Sequence, residues 1–339
     1  MAGYGCDQGI VHDEGTAVGA PVHLVGSNIS SSTNPLPSNG TVELAFDRLL
    51  SPLSISRQTF VLHDVDGYVL TPIVTYDPVA RIVSLVPLWQ LDINHVYEVE
   101  VRAPSGPADV DGLRSIDGAT LAQAPLNIAF SVGGPDTTGQ ALPSAPAIDF
   151  CRDVFPVFAT KCGTSGCHGG LLPAEGLGLD SPAGVETTAI GQIAHGANTG
   201  PTWSSQPPSL TFGLNMPLVD PGSGSPAAGN PGDSWLIYKL LMAEPAATAS
   251  TPYASDCDGG TVAPANAAPA HVVAWEPLAA SERSALQSVV SGQAMPPPSV
   301  NADGSDNTTL SADELERLSL WIAAGAAVPS QCACSTASQ

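Results

Sequence analysis

The chain has 339 residues, 43% of them hydrophobic and only 12% charged, with 34 Gly and 32 Pro. That length and apolar content exclude a disordered chain and a single small domain, and the Gly and Pro content predicts short elements joined by many turns. Ten Lys and Arg against 32 Asp and Glu give a net charge of -22, which excludes nucleic acid and disfavours anionic membrane surfaces, because both demand a basic face to meet phosphate.

No apolar run is long enough to cross a bilayer, and no signal peptide precedes residue 10. Export is expected with its signal outside this sequence, since seven Cys beside only two lysines, Lys161 and Lys239, suit an oxidising compartment. Cys6 is a candidate lipid anchor, although Gly3-Tyr4-Gly5 before it matches a lipobox poorly; a disulfide or a free thiol is the alternative.

Residues 1–35, rich in Gly, Ser and Asn without period, read as a leader. From Thr41 the pattern alternates: Val42, Leu44 and Phe46, then Phe60 and Leu62, then 69–76 and 82–86. Tyr97, Val99 and Val101 continue it, and Leu126, Ile128, Phe130 and Val132 close it. Turn chemistry separates the runs at Asp66-Gly67, Asp77-Pro78, Asp111-Gly112 and Asp117-Gly118, so residues 36–134 are expected to form an antiparallel β-sandwich. Phe46-Asp47 at a strand end, Phe60, Leu91 leading to 97–101, and the closing Phe130-Ser131-Val132-Gly133-Gly134 together resemble bacterial Ig-like domains of surface proteins. The resemblance implies a spacer or docking module. His63 and His95 read as surface or edge histidines, and no active site assembles here.

Residues 135–146 form a Gly, Pro and Thr-rich linker, after which alternation gives way to helical spacing in a mainly α, loop-rich domain over 147–331. Phe150, Val154 and Phe158 at i, i+4 and i+8 predict a helix over 149–161 that Pro156 should confine or kink. A short helix over 234–241 puts Trp235, Tyr238 and Leu241 on one face, and 281–291 is a third. The last is marked most clearly: Ser311 and Glu314 form a capping box, Leu310 and Leu315 its hydrophobic staple, and Gly325 the stop. Residues 332–339 are a Cys-containing tail, to which Cys151 and Cys257 are expected to bridge through Cys332 and Cys334.

The chemistry concentrates in Cys162-Gly163-Thr164-Ser165-Gly166-Cys167-His168. Covalent haem attachment requires two thiols to form thioethers with the vinyl groups and an imidazole directly after the second to reach iron. The usual motif has two residues between the cysteines, whereas this one has four, and Gly163 and Gly166 supply the positive φ that a longer loop requires. Met295, before Pro296 and Pro297, offers a soft thioether as sixth ligand. Met216, His195 and His271 are the other candidates for that position, and an open site would point to ligand binding instead.

The order of these features resembles class I cytochrome c domains, in particular the loop-rich bacterial ones, over about residues 147–330. In that resemblance 154–158 lie in the first helix, Cys162 and Cys167 bind a single haem c, His168 is the proximal ligand and Met295-Pro296-Pro297 forms the distal loop. Gly176-Leu177-Gly178-Leu179-Asp180 follows the proximal side, and Asn230-Pro231-Gly232-Asp233-Ser234-Trp235-Leu236 leads into a further helix. The implied function is single-electron transfer to a redox partner protein, in the periplasm or at the outer cell surface, with Phe155, Phe158, Leu318 and Trp321 lining a dry pocket. An electron carrier needs no catalytic group, and none is identified.

Three competitors stand beside this reading. Zinc would take Cys162, Cys167 and His168 with Cys151 or Cys257. A structural or adhesive surface protein would use the same cysteines as a haem-free staple, and a haem subunit of an oxidoreductase complex would use them as a relay. Calcium at Asp303, Ser305, Asn307, Thr309 and Glu314 is disfavoured by Thr308, where glycine is needed.

Overall fold

Alternation of buried and exposed side chains builds the N-terminal half. On β3 (Val42–Phe46) the side chains of Val42, Leu44 and Phe46 are buried, and on β8 (Val96–Val101) those of Tyr97, Val99 and Val101. The computed structural model describes residues 19–29, 35–106, 109, 111–136, 148–199, 209–222, 228–246, 276–290, 292–297 and 309–332. One sheet has the order β1-β3-β7-β6, with β1 (Leu24–Ser27), β7 (Ile82–Pro87) and β6 (Pro72–Asp77). The other runs β2-β9-β8-β4-β5, with β2 (Leu36–Pro37), β9 (Leu126–Gly133), β4 (Phe60–Asp64) and β5 (Val69–Leu70). Phe46 of the first sheet meets Phe60 of the second edge to face, ring centres 6.2 Å apart, so the two apolar faces close on one core.

Two features depart from the sequence expectation. The stretch read as a leader supplies β1, and Val22 and Ile29 beside it are buried in the same core. The edge strand β2 pairs parallel to β9, Leu36 opposite Val132, so the second sheet is not wholly antiparallel.

In the second half the predicted first helix runs over 150–162. A wide-turned segment, Phe150–Val154, leads into α1 (Phe155–Val157), and a second wide-turned segment, Phe158–Cys162, follows. Pro156 removes one N–H from the ladder, and the helix absorbs it with i→i+5 turns on both sides instead of breaking. Short helices α2 (Pro182–Thr188), α3 (His195–Asn198) and α4 (Ser209–Phe212) precede α5 (Trp235–Leu241), α6 (Ala280–Val289) and α7 (Ala312–Ala323). The capping box of α7 forms as expected: Glu314 N–H donates to Ser311 Oγ and Ser311 N–H to Glu314 Oε2, at 3.3 and 2.7 Å. Trp321 of α7 packs on Phe150 and Phe158, ring centres 5.5 and 5.8 Å away. A disulfide joins Cys151 to Cys332, Cα atoms 5.3 Å apart, and so ties the start of this half to the segment after α7. Cys6, Cys257 and Cys334 and most of the linker lie outside the described residues.

The halves are fused along a polar seam. Glu282 in the first turn of α6 accepts the N–H of Ala279 at 3.0 Å, which caps its own helix, and the N–H of Leu49 at 2.6 Å, from the β half. Arg48 lies between Glu282, at 3.4 Å, and Asp117, at 2.6 Å, and all three side chains are nearly inaccessible to solvent. Tyr76 N–H donates to Asn230 Oδ1 at 3.0 Å, and Ser319 Oγ to Asp77 Oδ1 at 2.7 Å. Replacing Arg48 leaves two carboxylates buried without their cation, and breaking such a group costs about 3–5 kcal/mol. Arg48→Met should therefore lower the urea midpoint of unfolding by a corresponding amount; an unchanged midpoint would show that the seam adds nothing to stability.

Candidate haem-binding site

The end of the first helix carries Cys162 into the core, and a hydrogen-bonded turn brings the chain back past it. Gly163 N–H donates to Phe158 O at 2.6 Å, Cys167 N–H to Thr164 O at 3.0 Å, and His168 N–H to Cys162 O at 3.0 Å. The strand of loop that follows is held against the turn, with Leu179 N–H donating to His168 O and Gly170 N–H to Asp180 Oδ2, both at 2.7 Å. Gly166 takes the expected positive φ of 91°. Gly163 does not: its φ is -81°, and it is required by proximity, since a Cβ there would lie 2.8 Å from the Asp180 backbone.

His168 Nδ1 lies 3.2 Å from the carbonyl oxygen of Ala174. A carbonyl only accepts, so Nδ1 carries the hydrogen and Nε2 is left with the lone pair that a metal takes. This is the backbone contact that fixes tautomer and ring direction in metal-binding histidines.

Beside the turn is a cavity of about 600 Å³, within the ~300–1,000 Å³ range of small-molecule and cofactor sites. Cys162, His168 and Met295 all line it, although the last lies more than a hundred residues beyond the other two. Leu177, Leu179 and Leu218 form apolar wall, and α5 contributes Trp235, Leu236, Lys239 and Leu240. Cys167 is half-exposed and is not in the lining. His195 lines the cavity, whereas Met216 is buried in the core with its carbonyl accepting from Ala194 N–H, and His271 lies outside the described residues.

The expected pocket walls require correction. Phe155, Phe158, Leu318 and Trp321 are absent from the lining; Phe158, Leu318 and Trp321 are buried, and Trp321 of α7 packs edge to face on Phe158 of the first helix. The real wall of α5 escaped the sequence reading because Tyr238 and Leu241 face the core, while positions 235, 236, 239 and 240 turn to the cavity. Their i, i+1, i+4, i+5 spacing is a helix face, but one broken by a lysine.

A zinc site and a haem site demand different arrangements of these donors. A structural zinc site requires its ligand atoms to converge within bonding distance of one ion. Among the described residues the group that converges so is Asp64, Asp66 and His95, not Cys162, Cys167 and His168. Cys151, a proposed fourth zinc ligand, is consumed by its disulfide, whereas Cys162 and Cys167 are both free thiols. Of the donors a haem c requires, the Cys162 thiol, the His168 imidazole and the Met295 thioether share the cavity, and the free Cys167 thiol lies on the same loop outside its lining. Asp64 is committed elsewhere, its Oδ1 accepting the N–H groups of Asp66 and Tyr68 within a turn. Glu314, the last carboxylate of the calcium spacing, is likewise held by its helix cap and by Lys161 at 2.8 Å; Asp303, Ser305 and Asn307 lie outside the described residues.

Burial pushes the Cys162 thiol up to about 12, reinforced by Glu314 and opposed by Lys161. The folded chain holds that proton more tightly than the unfolded one, so this thiol's contribution to stability is lost as pH rises from the ordinary thiol range toward 12. In cofactor-free protein at pH 8, iodoacetamide should therefore modify Cys167 at least tenfold faster than Cys162, with the difference vanishing in denaturant. Equal rates in the folded protein, read by mass spectrometry, would contradict the burial of Cys162.

No protein-family model matches the chain, and no curated protein matches it. Similar solved structures cover about a third of it. The S-layer protein SbsC is 13% identical over 34% of this chain and 14% of its own, with a TM-score of 0.25. Native alpha-2-macroglobulin from Escherichia coli, spanning domains MG0-NIE-MG1, is 12% identical over 34% of this chain and 33% of its own, with a TM-score of 0.26. CopC from Methylosinus trichosporium OB3b is 18% identical over 33% of this chain and 94% of its own, with a TM-score of 0.23. The chain spans a small part of the S-layer protein's length, and at TM-scores this low none of the three bears on function.

Proposed function

We propose that the chain is an exported c-type cytochrome that carries a single haem c and passes single electrons to a redox partner protein. Cys162 and Cys167 would hold the haem through thioethers, and His168 and Met295 would ligate its iron. The observation that carries this reading is the meeting of Cys162, His168 and Met295 at one largely apolar cavity of about 600 Å³.

Bound there, the haem iron supplies one-electron redox chemistry. The chain's own residues set the conditions. Ala174 O holds His168 in the tautomer that presents Nε2, and the thioether of Met295 favours reduced iron over oxidised and raises the potential. Leu177, Leu179 and Leu236 give the site apolar wall.

In this reading residues 147–331 are a class I-like cytochrome c domain and the β half is a bacterial Ig-like domain, rigidly docked through Arg48 and Glu282 and so a fixed platform for partner binding. The Cys151–Cys332 disulfide favours an oxidising location, the periplasm or the outer cell surface. Among the described residues no helix is long and apolar enough to cross a membrane, and Cys6 is the position for any lipid anchor. His195 favours one variant of the ligation, bis-His, because it shares the cavity with Met295.

Expression with a haem-attachment system, followed by a denaturing gel stained for haem, tests the assignment: the wild type should stain, and Cys162→Ser with Cys167→Ser together should abolish the stain. A colourless wild type would overturn it. Met295→Ala should remove the sulfur-to-iron charge-transfer band and lower the midpoint potential, whereas His195→Ala should leave both unchanged; the reverse pattern would assign the sixth position to His195.

A further inference from the structure

The segment from Asn230 to Ser234 supplies no haem ligand, yet it joins the cavity to the β half. Asn230 Oδ1 accepts two N–H groups at once, that of Gly232 in its own turn at 3.1 Å and that of Tyr76 on β6 at 3.0 Å. Its Nδ2 donates to Asp233 Oδ2 at 2.8 Å, and its main-chain N–H to Asp220 Oδ2 at 2.9 Å. The turn fixed in this way, Pro231–Asp233, runs directly into α5. There Trp235 N–H donates to Pro217 O and Leu236 N–H to Leu218 O, both at 3.0 Å. Trp235, Leu236 and Leu218 all line the cavity, so one amide side chain ties its apolar wall to a strand of the sandwich. The approach is close as well as bonded: a Cβ on Gly232 would stand 2.9 Å from both Cβ and O of Tyr76, so only glycine lets the turn sit on β6.

We propose that Asn230 is a positioning residue for the haem: by bridging Gly232 and Tyr76 it sets how closely α5 covers the cavity, and through that the potential of the iron. The inference rests on the haem assignment above and adds to it a control that lies in the β half. Oxidised iron carries one more positive charge than reduced iron, so water stabilises it. An apolar wall held close therefore raises the potential, and a wall displaced toward solvent lowers it. Neither Asn230 nor Tyr76 is in the described lining, so the effect passes through α5. The sandwich then tunes the iron as well as presenting it. A neighbouring tie supplies the control. Ser319 Oγ donates to Asp77 Oδ1 at 2.7 Å, which joins the next residue of the same strand to α7, and no residue of α7 is in the described lining.

The test uses the full chain, haem-loaded, in a spectroscopic redox titration run beside thermal unfolding. Asn230→Ala should lower the midpoint potential enough to shift the one-electron equilibrium about threefold or more toward oxidised haem. Gly232→Ala, which pushes the turn off β6 by another route, should shift it in the same direction. Asn230→Asp together with Asp233→Asn keeps an acceptor for Tyr76 N–H and a donor and acceptor between the two positions, and should restore most of the wild-type potential. Ser319→Ala should lower the unfolding temperature and leave the potential unchanged. Loaded Asn230→Ala at the wild-type potential overturns the inference alone, as does a shift in Ser319→Ala as large as that in Asn230→Ala; if Asn230→Ala does not fold, Gly232→Ala decides by the same criterion. Protein that takes up no haem overturns the haem assignment and this inference together.

Discussion

The carboxylate of Glu314 is the point on which the second half of the molecule is hung. It is fully buried, it accepts the N–H of Ser311 that α7 would otherwise leave unsatisfied, and it takes the ammonium of Lys161. Lys161 is the residue before Cys162, so the start of α7 and the beginning of the thiol turn are pinned by one acid. Two charges buried together hold only when both are present, and here they fix the distance between the first helix and the last. The disulfide from Cys151 to Cys332 closes the same pair of helices at their other ends. Between these two ties lies the hydrogen-bonded turn from Cys162 to Asp180, which carries the proposed haem attachment.

The β half is more than an appendage in this arrangement. Glu282 serves both halves at once, capping α6 and receiving Leu49 from the sandwich, and Arg48 neutralises it. Asn230, which lies just before α5, receives the N–H of Tyr76. The helix that forms one wall of the cavity is thus positioned partly by the sheet β1-β3-β7-β6. A partner that docks on the sandwich would meet the cavity at a fixed orientation, not at the end of a loose tether.

What could be read from the sequence was local. The capping box at Ser311 and Glu314, the buried stripe of Phe150, Val154 and Phe158 and the inward faces of β3 and β8 depend on spacing along one segment, and each formed where that spacing placed it. Over long separations the cysteines were legible, since Cys151 was expected to bridge to the tail and does so at Cys332, but polar pairings were not: Arg48 finds Glu282 across 234 positions, and nothing in either neighbourhood announces the other. The strand at Leu24–Ser27 hid in a Gly and Ser-rich stretch because its four residues are too few to show a period. The aromatic side chains Phe158 and Trp321 were assigned to the pocket for their size, yet large aromatic groups serve equally well as helix-to-helix packing, and that is where they lie. Of the motif residues, Cys162, His168 and Met295 line one cavity, while Cys167 stands outside its lining. A candidate donor is announced by its residue type, whereas a wall is defined only by what lies opposite.

Trypsin should release one peptide from Cys162 to Lys239 that contains both motif thiols and His168 and excludes Met295, since no Lys or Arg intervenes. Its mass, measured on protein matured in a host that attaches haem, tests the central claim directly. The account predicts that this peptide alone carries the mass of one haem, with neither thiol open to alkylation. The same peptide at its plain mass, with Cys162 and Cys167 bridged to one another or freely alkylated, would contradict it.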